Sequence, residues 1–154
     1  MSNMTFNVAE GLLYGELSGV KFRGAAVSGG RGGSTDSQAG NWLLQNNVFS
    51  SRIKESPTRM GGTIPLGKYF MVPHEKKERW TRLNPCKGTY LADRDGFAIH
   101  PRGPEGSHGC IVPFNDGEAQ RIRAAVQIFR NNNNEWPIIE IIAVGDIDFK
   151  ANMV

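Results

Sequence analysis

The stretch from residue 97 to residue 112 holds the densest group of chemically capable side chains in the sequence. His100 ends an apolar run, a connection rich in glycine and proline follows, and Cys110 stands ten positions later. A free thiol has a pKa of about 8.5, so it is mostly protonated at neutral pH and needs a nearby base to act as a nucleophile. An imidazole can accept that proton and later return it to a leaving amine. Cys110 and His100 together predict nucleophilic acyl transfer.

The residues around Cys110 suit the same chemistry. Gly109 directly precedes it, so an incoming carbonyl group can approach the backbone closely, and the amides of Gly109 and Cys110 could face a developing oxyanion. Two β-branched residues follow the cysteine. We therefore expect two neighbouring strand ends, with the imidazole of His100 within hydrogen-bond reach of the Cys110 thiol.

The elements that must position this pair are mostly strands. Runs of apolar, aromatic and β-branched residues between turn residues predict strands at 12–17, 20–27, 68–72, 80–83, 89–91, 97–100 and 138–144. Residues 28–34 break all periodicity and predict a loop, while 36–56 fits either a short helix or an irregular packed insertion.

The periodicity changes after Pro113. Asn115 and Glu118 form a start that resembles a capping box, and an apolar stripe at helical spacing follows. We expect this helix to end before the asparagine run that begins at Asn131, because asparagine tolerates left-handed turns. The pattern as a whole predicts a mainly β chain with one long helix.

Length and composition limit the classes of protein. The 154 residues, with 19 glycines and 8 prolines, predict a single domain over 1–154 with many turns. The net charge is +3, but the cations alternate with acids, which is not the footprint of a nucleic-acid binder. No apolar run approaches the roughly 20 residues that cross a bilayer. The N-terminus also lacks the basic start and apolar core of a Sec signal, so we expect neither nucleic-acid binding nor membrane insertion.

The residues around Cys110 also resemble a known family. Ser107-His108-Gly109-Cys110-Ile111 looks like the signature of the L,D-transpeptidases, and the segment from Thr63 to Tyr69 is similar to their Pro- and Gly-rich segment before a core strand. The spacing between His100 and Cys110 is shorter than in the housekeeping wall enzymes. It is more similar to type VI secretion effectors with L,D-carboxypeptidase and L,D-transpeptidase exchange activity. The resemblance covers roughly residues 20–112.

The resemblance implies the β-sandwich of the L,D-transpeptidases, with the helix after the cysteine packed beside it. Cys110 would be the nucleophile and His100 the base, without metal or cofactor. The substrate-binding or oxyanion residues would be Ser107, His108, Gly109 and Arg102. His108 fits a structural histidine equally well, and Ser107 could simply satisfy turn amides.

One position departs from the family pattern. Housekeeping members usually carry an arginine directly after the Gly-Cys-Ile element, where this chain has Val112. The side chain that holds the substrate carboxylate therefore stays open among Arg102, Arg59 and Arg82.

The resemblance also implies a substrate and a setting. The substrate would be the tetrapeptide stems of peptidoglycan, which lie outside the cytoplasmic membrane. Without a Sec signal, the chain is either a fragment or is exported by a contractile secretion machine, and the effector resemblance favours the second. Export of this kind implies action in the periplasm of a target cell and a cognate immunity protein that plugs the cleft.

Other interpretations compete with this one. A zinc set could be read from His100, His108, Cys110 and Cys86, but Cys86 has no partner at the short spacing typical of structural zinc. A Cys86–Cys110 disulfide would silence the nucleophile. A papain-like amidase is disfavoured because no histidine follows Cys110. A non-catalytic wall-binding or interaction domain with the same fold is the remaining alternative.

Overall fold

The computed structural model describes residues 2–30, 46–54, 61–101, 109–115 and 117–145. Across these ranges the chain forms eight strands, one α-helix and a short 3-10 helix at Val48–Ser50. The strands are β1 Met4–Asn7, β2 Leu12–Leu17, β3 Val20–Ser28, β4 Gly67–Pro73, β5 Thr81–Pro85, β6 Ala98–Ile99, β7 Ile111–Pro113 and β8 Ile138–Ile142, and the helix is α1 Glu118–Asn133.

The strands close into a barrel in the order β1-β2-β3-β7-β6-β5-β4-β8, with β8 returning to β1. The β1–β8 and β6–β7 pairs are parallel and the others are antiparallel. The chain is thus mainly β with one helix, but the expected β-sandwich is wrong. β1, which the sequence pattern did not reveal, pairs with both β2 and β8 and so removes the open edges that a sandwich would have.

Alternation along the strands separates an inner face from an outer face. The inward side chains form the core, and the largest of them are fully buried, among them Phe6, Tyr69, Ile99, Ile111 and Ile139. α1 contacts β2 and β7 on one side of the ring and β4 and β5 on the other, so it covers one end of the barrel. Its residues Ile122 and Val126 are fully buried in the same core. None of the helices in the described part of the chain is long and apolar enough to span a membrane.

The helix differs from its prediction at both ends. It starts after Gly117, which gives no side-chain cap, and Glu118 pairs with Arg121 instead of forming a capping box. It continues to Asn133, and the left-handed residue is Asn134, whose N–H bonds to the carbonyl of Arg130. The asparagine run therefore ends the helix at its last member, because the first three asparagines still fit helical geometry.

The predicted strand at 89–91 is also absent from the described residues, where these positions have no regular secondary structure and lie between two turns. The Thr89 hydroxyl accepts a hydrogen bond from the amide of Lys68 (3.1 Å) and donates one to its carbonyl (2.8 Å). Thr89 therefore serves the start of β4 through its side chain and not through a strand ladder. Of the predicted loop at 28–34, residues 31–34 lie outside the described residues, as does most of the 36–56 segment.

Candidate active site

The candidate site lies on the outer face of the barrel where β6 and β7 run side by side. Ile99 pairs with Ile111, and both side chains are fully buried in the core. Because neighbours alternate between faces, His100 after Ile99 and Cys110 before Ile111 both belong to the outer face. His100 and Cys110 are on adjacent strands and are offset by two residues along the strand direction. This offset corresponds to about 8 Å between their Cα atoms. Long side chains bridge such diagonal positions in sheets.

His100 is fixed by its neighbours on two sides. The register that pairs Thr81 with Ile99 puts Trp80 directly opposite His100, and the two rings stack with 4.3 Å between centroids and 19° between planes. The Nδ1 atom lies 2.8 Å from the carbonyl oxygen of Pro101. Since a carbonyl only accepts, Nδ1 carries the proton in this hydrogen bond. Nε2 is therefore the ring atom that can accept a proton when the imidazole acts as a base.

Trp80 itself is held by two further side chains. The Nζ atom of Lys77 lies 3.8 Å from the centroid of the Trp80 ring, and the His74 ring meets Trp80 edge to face at 6.0 Å. His74 Nδ1 accepts hydrogen bonds from the amides of Lys76 (3.0 Å) and Lys77 (3.1 Å). Burial, followed by the Arg82 charge, lowers the pKa of His74, and these acceptor bonds likewise favour its neutral form. The turn between β4 and β5 thus supports the indole that stacks on His100.

Neither cysteine forms a disulfide, so the Cys86–Cys110 bond is absent. Cys110 is buried, with 9% of its surface exposed, and its Sγ lies 3.8 Å from the carbonyl oxygen of Gly96. Cys86 lies in the turn after β5, and burial raises the pKa of its thiol against the opposing effect of Lys68. Because the thiolate is the reactive form, the raised pKa makes Cys86 a poor nucleophile.

Gly109 is required by both backbone conformation and space. Its φ of 118° lies where residues with a side chain are strained, and a Cβ there would stand 2.6 Å from Arg94 Nη2 and 2.7 Å from Phe97 Cε1. Its carbonyl accepts a hydrogen bond from the Ser28 hydroxyl (2.9 Å), which in turn accepts one from the amide of Ile64 (2.9 Å). The residue before the candidate nucleophile is thus anchored to β3 and to the segment that leads into β4.

Arg94 is a site neighbour that the sequence analysis missed. It is 3% exposed, and its guanidinium donates to the carbonyls of Ser51, Thr63 (2.7 Å) and Gly62 (2.9 Å) while lying over the Phe97 ring. It therefore ties residues 46–54 and 61–66 to its own turn at 91–94, which lies beside Gly109. Its sequence neighbours Asp93 and Asp95 are typical of an exposed loop, so no local signal marked it as buried.

Replacing Gly109 with alanine should destabilise the protein by about 3 kcal/mol, from backbone strain plus the clash with Arg94 and Phe97. Gly88→Ala is the matched control, because Gly88 also has a positive φ (96°) but open space around it. It should cost only about 1 kcal/mol, for the backbone alone. Chemical denaturation of the two variants measures both values. If both variants lose the same free energy of unfolding, the contacts of Gly109 with Arg94 and Phe97 do not contribute to stability.

The other predicted site residues, Arg102, Ser107 and His108, lie outside the described residues, and so does Arg59. Arg82 is described and lies on the outer face of β5, paired with Ala98. Among the described residues no group of three or more His, Cys, Asp or Glu side chains could hold a metal ion.

Comparison of the chain with protein-family models, with curated proteins and with solved structures finds no significant match.

Proposed function

We propose that this protein is a cysteine-dependent peptidoglycan-modifying enzyme, an L,D-carboxypeptidase and L,D-transpeptidase acting on tetrapeptide stems. The observation that carries the proposal is the shared outer face of His100 and Cys110, with the imidazole held so that Nε2 is the accepting atom. The resemblance of Ser107 to Ile111 to the L,D-transpeptidase signature supplies the substrate class.

The first half of the reaction makes an acyl-enzyme. His100 Nε2 takes the Cys110 proton, and the thiolate attacks the carbonyl carbon between the third stem residue and the terminal D-alanine. The amides of Gly109 and Cys110 stabilise the oxyanion. As the C–N bond breaks, the imidazolium gives its proton to the leaving amine. Free D-alanine departs, and the tripeptide stem stays on Cys110 as a thioester.

The second half restores the enzyme. His100 removes a proton from the acceptor as it attacks the thioester carbonyl, and the Cys110 sulfur leaves as a thiolate that regains a proton from the imidazolium. Water as acceptor gives a tripeptide, which is carboxypeptidase activity. The amine of a D-amino acid gives exchange, and the amine of a second stem gives a crosslink.

The proposed biological setting follows from the same resemblance. The protein acts as an antibacterial effector that a contractile machine of the type VI kind delivers into the periplasm of a target cell. A cognate immunity protein in the producing cell binds over the cleft at His100 and Cys110. Peptidoglycan stems are its other partner.

One shared intermediate leads to a prediction about products. With tetrapeptide stems alone, the protein should release D-alanine and leave tripeptides. With excess D-methionine, part of the product should be a tetrapeptide that carries methionine in the fourth position. Mass analysis of digested muropeptides measures both. If cleavage occurs at any other stem bond, the protein is not an L,D-transpeptidase.

The low exposure of Cys110 favours a second candidate function, a wall-binding domain that does not turn over its ligand. Such a domain would bind tetrapeptide stems equally well with Cys110 or alanine at that position, and the stems would keep their mass. Titration calorimetry run beside the product assay separates the two functions.

A further inference from the structure

The stacked rings of Trp80 and His100 both project from backbone that hydrogen bonds hold in place. The N–H of His100 donates to the carbonyl of Ile111 (3.1 Å), which ties His100 to β7. The N–H of Trp80 donates to the carbonyl of Lys77 (3.0 Å), and its carbonyl accepts from the N–H of His74 (3.0 Å). Trp80 thus closes the turn between β4 and β5, and the two rings meet on an ordered framework.

The geometry of the stack suits a charged imidazole ring. The ring centroids are 4.3 Å apart and the ring planes differ by 19°, so the imidazole of His100 lies over the face of the Trp80 indole. The face of an aromatic ring carries partial negative charge, and indole attracts a cation over its face more strongly than the rings of tyrosine and phenylalanine do. An imidazolium at this place therefore interacts with Trp80 more favourably than a neutral imidazole does.

Other charges near the pair either cancel or oppose this attraction. The charged and titratable groups that the structure describes on the neighbouring elements are His74, Glu75, Lys77, Arg82 and Cys110. Arg82 and Glu75 form an ion pair with each other, and burial lowers the pKa of His74, so His74 adds no charge at neutral pH. The ammonium of Lys77 lies 3.8 Å from the Trp80 ring centroid and opposes a second positive charge on the indole. Since Lys77 is exposed, water and salt screen its charge.

We propose that Trp80 is a positioning residue for His100, which holds the imidazole ring in one plane and stabilises its protonated form. The inference rests on the proposed function. In that mechanism His100 takes the Cys110 proton, carries it as an imidazolium, and then gives it to the leaving amine. The Pro101 carbonyl that accepts from Nδ1 bears only a partial negative charge, so the indole face adds to the stabilisation of the imidazolium.

The direct test is an NMR titration of the histidine ring protons, which requires no turnover. The His100 signal is assigned by its loss in His100→Gln. Trp80→Leu keeps an apolar side chain beside His100 but removes the aromatic face. In this variant the titration midpoint of His100 should fall by about half to one pH unit, a roughly three- to tenfold loss in the ratio of protonated to neutral ring. Trp80→Phe, which keeps a weaker aromatic face, should show a smaller fall.

Two further variants are the controls for Trp80. Trp136→Leu removes an indole that carries Arg130 and should leave the His100 midpoint unchanged. Lys77→Gln removes the ammonium from the Trp80 ring and should raise the midpoint by about 0.2 to 0.5 pH unit. Thermal unfolding checks that all variants fold. A His100 midpoint that stays at the wild-type value in folded Trp80→Leu, or that falls equally in Trp80→Leu and Trp80→Phe, overturns the role of Trp80.

Kinetics on the same variants separate this inference from the proposed function. In Trp80→Leu, kcat for the tetrapeptide stem should fall about tenfold while KM stays within about twofold, because Trp80 acts on the base and not on the bound stem. Trp80→Phe should recover most of kcat. An unchanged kcat in Trp80→Leu overturns the part of Trp80 in catalysis. A wild type that shows the expected titration but releases no D-alanine overturns the proposed function instead.

Discussion

Replacement of Cys110 by alanine is expected to lower the release of D-alanine from tetrapeptide stems by at least about 10³-fold, because the proposed mechanism carries the acyl chain on the Cys110 sulfur. The sulfur is buried, so its removal should also cost about 1 kcal/mol of stability without preventing folding. The rate of D-alanine release and a thermal unfolding curve, measured on the same preparation, give both quantities.

Cys86→Ala is the matched control for this variant. It removes the second cysteine thiol of the chain, which lies in the turn after β5 and whose pKa is raised by burial. Its turnover should equal that of the wild type. A Cys110→Ala variant that still turns over stems would end the proposed mechanism.

Replacement of His100 by alanine is expected to lower kcat by about 10² to 10⁴-fold, the usual contribution of general acid–base catalysis. The variant also removes the stacking partner of Trp80, so the fold is checked separately by circular dichroism. Steady-state kinetics on the tetrapeptide stem measures the loss in kcat.

The other two histidines are the controls for His100. His74→Ala and His108→Ala should each cost far less rate. His74 Nδ1 accepts hydrogen bonds from two amides of its own turn. Its pKa is lowered by burial and by nearby cations. If His108 or His74 is the indispensable histidine, the assignment of His100 as the base is wrong.

The strand positions were predictable where the chain alternates clearly. β2 and β3 carry long alternating runs separated by Ser18 and Gly19, and both lie within one residue of their predicted ranges. β1 was missed because four residues at the N-terminus carry too little pattern to be recognised alone. Its strand character comes from pairing with β2 and β8, which is a long-range interaction. The closed barrel depends on that pairing, so the sandwich expected from resemblance was wrong.

Only part of the candidate site could be predicted from the sequence. The motif around Cys110 and the histidine ten positions earlier predict the central pair, whose catalytic role stays a prediction. The partners of this pair depend on strand register, which local sequence does not specify. Trp80 is opposite His100 only because Thr81 pairs with Ile99. Arg94 was not predicted as a site neighbour because its acidic neighbours in the sequence suggest an exposed loop. Its guanidinium is in fact buried against backbone carbonyls.

The central claim is that Cys110 carries the tripeptide stem as a thioester, and one measurement tests it directly. The protein is mixed with tetrapeptide stems, quenched in acid within the first turnovers, digested, and analysed by mass spectrometry. We expect the peptide that contains Cys110 to gain the mass of the stem without its terminal D-alanine, and Cys86 to stay unmodified. Release of D-alanine with no adduct on Cys110, or an adduct on any other residue, would contradict it.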